Sequence, residues 1–225
     1  MIIAKIKTLL SPLKRMMKPD DSFLKEISGV IHVGANYGQE KGSYHANNLD
    51  VVWIEPIPEI FATLEKGLEK YPKQKAYAEL ITDADGKEYD FNVASNKGAS
   101  SSILDLKEHK DIWPDINFTK TIKLKSTTLS TLVEKHSIDL DKYQALIMDT
   151  QGSELLVLSG AVPILHEFQY VKTEVSDFEA YENCCQLVDV DAFMSNHGFH
   201  QLSKRQFASR KEGGSYYDVI YKRKK

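Results

Sequence analysis

Residues 30–40 of this chain read VIHVGANYGQE, and residues 51–56 read VVWIEP. An apolar strand leads into a turn of small residues, a helix is expected next, and a second apolar strand ends at Glu55. Glycines in such a turn let the backbone approach a ligand closely, and the N-terminus of the following helix adds amide donors. An acidic residue about 20 positions further on can accept hydrogen bonds from ribose hydroxyls. The two segments therefore predict half of a nucleotide-type binding site.

The turn does not match the glycine patterns of two common nucleotide sites. A dinucleotide fingerprint has G-x-G-x-x-G, but Asn36 and Gln39 follow Gly34 where the other two glycines would stand. A P-loop has Gly-Lys-Ser/Thr, whereas residues 42–43 read GS. The remaining Gly-Ala-Asn-x-Gly turn suits S-adenosylmethionine (SAM), with its amino acid at the turn and its ribose at Glu55. The alternative is a tight strand–helix turn beside a solvated Glu55.

The composition is that of a globular α/β protein. The 225 residues suit one α/β domain, with or without appendages, and the hydrophobic fraction of 42% is enough for a sizeable core. The formal net charge of −3 gives no overall attraction to nucleic acid. The two cysteines, Cys184 and Cys185, are adjacent, which suits neither a disulfide framework nor a zinc site. A reduced, cytoplasmic setting is the simplest expectation.

Residues 1–27 are predicted to form an N-terminal segment ahead of a single domain at residues 28–225. Residues 1–18 carry five basic side chains and no acid, and their apolar residues recur at roughly helical spacing. No apolar run reaches the ~20 residues of a membrane span, and no signal-peptide pattern is present. The pattern predicts a basic amphipathic helix that either contacts a membrane surface peripherally or packs on the domain or a partner.

Predicted strands alternate with predicted helices from residue 28 onward. The strands are predicted at residues 28–33, 51–54, 75–81, 89–93, 119–125, 145–148, 170–175, 200–203 and 216–222. The helices are predicted at residues 39–47, 58–70, 128–136 and 188–197, with another beginning at residue 154. This alternation indicates a parallel sheet covered on both faces.

A second polar turn follows the buried strand predicted at residues 145–148. Residues 149–154 read DTQGSE and lead into a helix. Ligands in open α/β sheets bind outside the carboxyl ends of the strands, so Asp149, Gln151 and Glu154 are expected at the same edge as Gly34 and Glu55. The alternative is that Asp149 caps the following helix and Glu154 complements its dipole.

Together these motifs resemble the FkbM-type family of SAM-dependent methyltransferases, over about residues 28–202. The segments that carry the resemblance are VGANYG (residues 33–38), IEP (54–56), DTQGSE (149–154), LSGA (158–161) and KTE (172–174). Residues 128–129, ahead of a helix, and SSIL at residues 101–104 also look like family positions.

The resemblance implies a class I methyltransferase fold. This is a Rossmann-like α/β fold with a seven-stranded, mostly parallel sheet, helices on both faces and an antiparallel last strand. It also implies SAM as the methyl donor and Glu55 as the ribose ligand. The residues that match the loop around the methionine part are Gly34, Ala35, Asn36 and Gly38.

One departure from the family concerns the amino group of SAM. Many members carry an acid where this chain has His32. The contact to that amino group is then expected from another residue, for which Glu40 is a candidate, or is expected to be weaker.

The acceptor is predicted to be a hydroxyl on a small molecule or a glycan. Amino-methylating enzymes of this fold often carry Asp/Asn-Pro-Pro-Tyr after the fourth strand, whereas residues 149–152 read DTQG. A hydroxyl needs alignment and a nearby proton acceptor, and Asp149 and Glu174 are the candidate catalytic bases. No dedicated cluster of metal ligands is visible, although a divalent ion bridging Asp149 to vicinal hydroxyls stays open.

The long connection at residues 95–117 is predicted to form one wall of the acceptor cleft beside Asp149. A loop rich in Gly and Ser is pliable, and its hydroxyls can bind backbone groups or substrate oxygens. Ser101 and Gln151 are predicted to bind the acceptor, and Trp113 to offer it a stacking surface. The alternative is an ordered connector with a buried Trp113.

Two other functions stay open at this point. The basic residues at both ends of the chain would suit a nucleic-acid methyltransferase, although the net charge argues against a nucleic-acid partner. His32 would suit a non-catalytic α/β binding module. The sequence gives no indication of an oligomeric state.

Overall fold

The computed structural model describes residues 19–224, so the amphipathic helix predicted within residues 1–18 lies outside the described residues. The described chain contains ten strands: β1 (Gly29–Val33), β2 (Asp50–Ile54), β3 (Gln74–Tyr77), β4 (Leu80–Ile81), β5 (Glu88–Ala94), β6 (Phe118–Thr127), β7 (Ala145–Met148), β8 (Tyr170–Ser176), β9 (Phe199–Ser209) and β10 (Ser215–Arg223). Its α-helices are α1 (Lys41–Ala46), α2 (Pro58–Leu68), α3 (Leu129–Lys135), α4 (Glu154–Ala161) and α5 (Leu187–Asn196).

A seven-stranded sheet with the order β3-β2-β1-β7-β8-β10-β9 forms the centre of the molecule. The first five strands in this order, β3-β2-β1-β7-β8, pair in parallel. Strand β10 runs antiparallel to both β8 and β9. All residues of β1 and β7 are buried, as expected of parallel strands that are covered on both faces. The predicted seven-stranded, mostly parallel sheet with an antiparallel last strand is therefore confirmed.

Helices cover both faces of this sheet. On one face, α3, α4 and α5 bury Leu132, Val157 and Met194 against the strands. On the other face, Tyr44 of α1 and Leu64 of α2 pack around the fully buried Trp53. A short 3-10 helix, Pro19–Lys25, lies on that second face and buries Phe23 and Leu24 in the same core. Within residues 19–224, no helix combines the length and the apolarity needed to cross a membrane.

A smaller three-stranded sheet, β4-β6-β5, lies beside the main one. The antiparallel pair predicted at residues 89–93 and 119–125 is confirmed as β5 and β6. The single strand predicted at residues 75–81 is wrong, because β3 ends at Tyr77 and β4 pairs with β6 instead. The physical reason is that neighbouring residues here belong to two different hydrophobic cores. Leu80 packs with Phe91 in the core of the small sheet, whereas Ile81 packs in the core of the main sheet.

Candidate active site

A cavity of about 720 Å³ opens at the carboxyl ends of the parallel strands. Its size lies within the range of about 300–1,000 Å³ that is usual for small-molecule sites. The predicted site residues that line it are Gly34, Ala35, Asn36, Glu55, Ser101, Trp113, Asp149, Gln151 and Glu174. Gly38 is not in the lining, because it packs between the side chains of Leu64 and Trp53. The structure thus brings the two predicted turns and the long connection to one place.

The strand register places the polar side chains next to one another. Met148 of β7 pairs with Thr173 of β8, so Asp149, which directly follows β7, comes next to Glu174 within β8. Glu174 in turn pairs with Asp218 of β10, whose carboxylate accepts a hydrogen bond of 2.7 Å from Arg205. Asp218 also lines the cavity, and only the antiparallel insertion of β10 reveals it as a site residue.

Glu55 is a buried carboxylate at the end of β2, with 4% of its surface exposed. One carboxylate oxygen accepts the Asn36 N–H at 2.7 Å, and the other accepts the Ile57 N–H at 2.9 Å. Burial raises the pKa of Glu55 to about 7, against the opposing effect of these two hydrogen bonds. The alternative of a solvated Glu55 is therefore wrong.

The turn after β1 differs from the sequence expectation in one respect. The N–H groups of Gly34 and Ala35 both donate to the Ile54 carbonyl, and that of Asn36 donates to Glu55. Because these N–H groups already have acceptors, the turn does not offer them to a ligand. The helix predicted from residue 39 begins only at Lys41. Asn36 has a φ of +48° and donates its side-chain amide to the Lys97 carbonyl, which ties the turn to the long connection.

The turn after β7 is held by the buried side chain of Glu154. Its carboxylate accepts hydrogen bonds from the N–H groups of Thr150 and Gly152 at 3.0 Å, and burial raises its pKa. Glu154 therefore organises the turn, which goes beyond the predicted interaction with the helix dipole. Asp149 accepts a hydrogen bond of 2.5 Å from the Gln151 side chain, and Gln151 itself accepts from the Tyr181 hydroxyl at 2.7 Å.

Aromatic side chains form another part of the cavity wall. Trp113 is half-buried, with its ring 4.7 Å from that of His109 and 5.4 Å from that of Tyr216. Ser101 is held in the same wall by the Ala94 N–H, which donates to its hydroxyl at 2.9 Å. Phe207, 40% exposed, also lines the cavity.

His109 is a site residue that the sequence analysis missed. It is 3% exposed, contacts the Ser100 hydroxyl at 3.1 Å and the Tyr216 hydroxyl at 2.7 Å, and lines the cavity. Burial lowers its pKa to about 4, so the ring is neutral at physiological pH. No sequence motif surrounds it, because Tyr216 comes from a strand more than 100 residues away.

His32 and Glu40 both line the cavity as well. His32 is buried, stacks on Trp53 at 4.9 Å and contacts the Tyr44 hydroxyl at 3.1 Å. Glu40, which the sequence could not place, stands at the N-terminus of α1. Glu40 stays a candidate for the contact to the amino group of SAM.

Seven of the described residues that line the cavity carry a carboxyl group: Asp21, Glu40, Glu55, Glu79, Asp149, Glu174 and Asp218. Three of these carboxylates lie in ion pairs, Asp21 with Lys172, Glu79 with Lys135 and Asp218 with Arg205. Among the described lining residues, Lys172 is the one lysine or arginine. Within residues 19–224, no group of three or more His, Cys, Asp or Glu side chains is arranged to hold a metal ion.

Comparison with protein families identifies a methyltransferase FkbM domain at residues 32–200. Among curated proteins, the chain is similar to the 2-O-methyltransferase NoeI of Sinorhizobium fredii (strain NBRC 101917 / NGR234), with 23% identity over 161 residues. The match covers 68% of this chain and 65% of the relative, so the chain spans slightly less than two thirds of that protein's length.

Solved structures show the same architecture at low sequence identity. Magnesium protoporphyrin IX methyltransferase from Synechocystis PCC 6803, with bound S-adenosylhomocysteine (SAH), matches with a TM-score of 0.50 and 7% identity, over 87% of this chain and 73% of that one. The METTL16 methyltransferase domain matches with a TM-score of 0.51 and 9% identity, over 88% of this chain and 63% of that one. These likenesses show the class I methyltransferase fold.

Proposed function

Because the chain belongs to the methyltransferase FkbM family and its cofactor is SAM, we propose that it methylates a hydroxyl group on a small molecule or a glycan. One observation carries the proposal: Asp149 and Glu174 lie side by side in the cavity that also contains Glu55. The turn that carries Asp149 has no proline and presents polar groups, which favours an oxygen acceptor. The similarity to a 2-O-methyltransferase supports the same choice.

The residues of the cavity fit the cofactor. The buried Glu55 carboxylate is suited to ribose hydroxyls, and the neighbouring apolar side chains of Ile57, Leu80 and Phe91 are suited to a purine ring. The formal net charge of −3 gives no overall attraction to a polyanion, which argues against the nucleic-acid alternative.

When bound, SAM supplies a methyl group on a positively charged sulfur. The chain contributes alignment, a proton acceptor and a dry site. Asp149, held by Gln151, and Glu174 are the groups in place to take the proton of the acceptor hydroxyl. Ser102 fixes the long connection to the β7–α4 turn, since its hydroxyl donates to the Gln151 carbonyl at 2.9 Å.

Loss of the proton acceptor is expected to slow methyl transfer strongly while SAH still binds. We expect Asp149→Asn or Glu174→Gln, whichever is the base, to slow methyl transfer by about 10²–10⁴-fold, the usual contribution of a general base. The measurement is SAH production with a panel of sugars and phenols, beside SAH affinity by calorimetry. Glu79→Gln, which removes another lining carboxylate, serves as the control. Folded protein that binds no SAH would contradict the proposed function itself.

The aromatic residues of the cavity wall are expected to affect binding of the acceptor but not binding of SAH. We expect Trp113→Ala to raise the acceptor KM roughly tenfold, the effect of losing one aromatic contact, with SAH affinity unchanged. Phe61→Ala is the matched control, because Phe61 is a half-buried aromatic on α2 outside the cavity lining. Equal effects of both variants on the acceptor KM would contradict the assignment of Trp113 to the acceptor site.

A further inference from the structure

The aromatic part of the cavity wall is carried by a short 3-10 helix in the long connection. This helix, Glu108–Asp111, contains His109 and leads directly into Trp113, and both side chains line the cavity. The Trp113 N–H donates to the His109 carbonyl at 3.1 Å, so Trp113 follows any movement of the helix. A helix of a single turn is not stable by itself. The position of the two rings therefore depends on what holds this helix.

One attachment holds the N-terminal end of the helix. The N–H groups of Lys107 and His109 both donate to the Ala180 carbonyl at 3.0 Å. Lys107 also forms an ion pair with Glu179, but the two side chains are 45% and 32% exposed, and a pair so accessible to water contributes little. This attachment fixes the start of the helix and does not extend to its last residue, Asp111.

Arg210 forms a second attachment, from the tip of the β9–β10 hairpin. Its Nη1 donates to Glu108 at 2.8 Å and its Nε donates to Asp111 at 2.8 Å, while Nη2 lies 2.8 Å from the same Asp111 oxygen. The guanidinium thus joins the first and the last residue of the helix.

This attachment is stronger than an isolated surface ion pair. The Arg210 side chain is only 15% exposed, and its guanidinium carbon lies 5.0 Å from the centre of the Phe178 ring. One planar fork that binds two carboxylates forms a network with fixed geometry, which is the case in which ion pairs of this kind contribute measurably. A lysine at this position would offer a single point charge instead.

Arg210 lies outside the region that matches the family, since that match ends at residue 200. It is also not among the described residues that line the cavity. The ring of Tyr216, 5.4 Å from that of Trp113, belongs to the same hairpin. The hairpin therefore supplies both the ring beside Trp113 and the arginine that holds the helix before Trp113.

We propose that Arg210 is a positioning residue of the acceptor site: by binding Glu108 and Asp111, it holds Trp113 beside Tyr216 and so keeps the aromatic part of the cavity wall in place for the acceptor. Arg210 acts through the helix and not by contact with a ligand. This inference rests on the proposed function, since it assigns a residue to the acceptor side of the same cavity.

Acrylamide quenching of tryptophan fluorescence tests the inference on the full chain saturated with SAH. The chain has two tryptophans, and because Trp53 is fully buried, the quenching reports Trp113. We expect Arg210→Met to raise the quenching constant and to shift the emission to longer wavelength. Arg210→Lys is expected to give an intermediate value. Arg223→Met is the control, because Arg223 is an exposed arginine at the opposite end of the same hairpin.

A double-mutant cycle tests whether the two carboxylates carry the effect. The double variant Glu108→Gln/Asp111→Asn is expected to raise the quenching constant as much as Arg210→Met does. Adding Arg210→Met to that variant is then expected to have no further effect. If Arg210→Met does not fold, the carboxylate variant and Arg210→Lys decide in its place.

Enzyme kinetics with the panel of sugars and phenols show whether the position of Trp113 matters to the acceptor. Arg210→Met is expected to raise the acceptor KM by up to about tenfold, the effect of losing one aromatic contact, and to leave kcat and SAH affinity unchanged. A structural role alone would lower the melting point without this separation of KM from kcat.

Several results would overturn the inference. These are unchanged quenching in folded Arg210→Met, equal effects of Arg223→Met, additive effects in the double-mutant cycle, or raised quenching with an unchanged acceptor KM. Absence of SAH binding, or of turnover with every member of the panel, would count against the proposed function instead, and the quenching measurements would then decide the inference.

Discussion

Replacing Glu55 with alanine is expected to weaken SAH binding by at least about 100-fold, since hydrogen bonds to a charged group contribute about 1.5–3 kcal/mol each. The carboxylate is buried at the end of β2 and fixed by the N–H groups of Asn36 and Ile57. As the proposed ribose ligand, this fixed carboxylate needs no rearrangement to accept hydrogen bonds from two hydroxyls. Calorimetric titration with SAH measures the effect.

Folding is expected to survive this change, because two opposing effects accompany it. Alanine leaves two backbone N–H groups without their acceptor, but it also removes a carboxylate whose burial is costly, as the pKa raised to about 7 indicates. Glu59→Ala is the matched control, since Glu59 lies four residues later in an exposed pair with Lys120. Unchanged SAH affinity in folded Glu55→Ala would exclude Glu55 as the ribose ligand.

The titration of the same carboxylate gives a second readout. Ribose hydroxyls donate to the ionised form, so SAH affinity is expected to rise with pH through about 7 and to level off above it. The ligand-free protein behaves in the opposite sense. Its Glu55 pKa lies above the ordinary value of 4.5, so the contribution of Glu55 to stability falls as pH rises from about 4.5 to about 7 and then stays constant. Glu55→Gln is expected to flatten both profiles.

The parts of the site that the sequence could predict are local in the chain. Glu55 and Asp149 each follow directly on an apolar strand, so strand recognition alone places them at the carboxyl edge. The residues that the sequence could not predict depend on packing between distant elements. His109 is placed by Tyr216, and Asp21 by Lys172, over separations of 107 and 151 residues.

The same distinction explains the misplaced elements. The apolar spacing at residues 75–81 suits one strand, but Leu80 and Ile81 belong to different cores, so tertiary packing overrides the local pattern. The donors expected after Gly34 are taken by Ile54 and Glu55, a result of the β1–β2 pairing rather than of the turn sequence. The glycine motif therefore placed the turn at the cavity but did not reveal why glycine is required.

Gly34→Ala is expected to destabilise the protein by about 3 kcal/mol or more, because two separate costs combine. Gly34 has a φ of +79°, which an L side chain rarely adopts, and an added Cβ would lie 2.0 Å from the Asp149 carbonyl oxygen. That carbonyl cannot withdraw easily, since the Asp149 N–H donates to Val33 at 3.1 Å. The substitution would force the ends of β1 and β7 apart and displace Asp149 from the cavity.

Gly86→Ala separates the two costs, because Gly86 has a similar φ of +74° but nothing within 4 Å of an added Cβ. It is expected to show backbone strain alone, about 1 kcal/mol, or a melting point lower by roughly 3 °C against about 10 °C for Gly34→Ala. Only Gly34→Ala should also lose SAH binding. Equal melting points for the two variants would mean that the strand ends tolerate a side chain, and that Gly34 is required for its backbone conformation rather than for the close approach of β1 to β7.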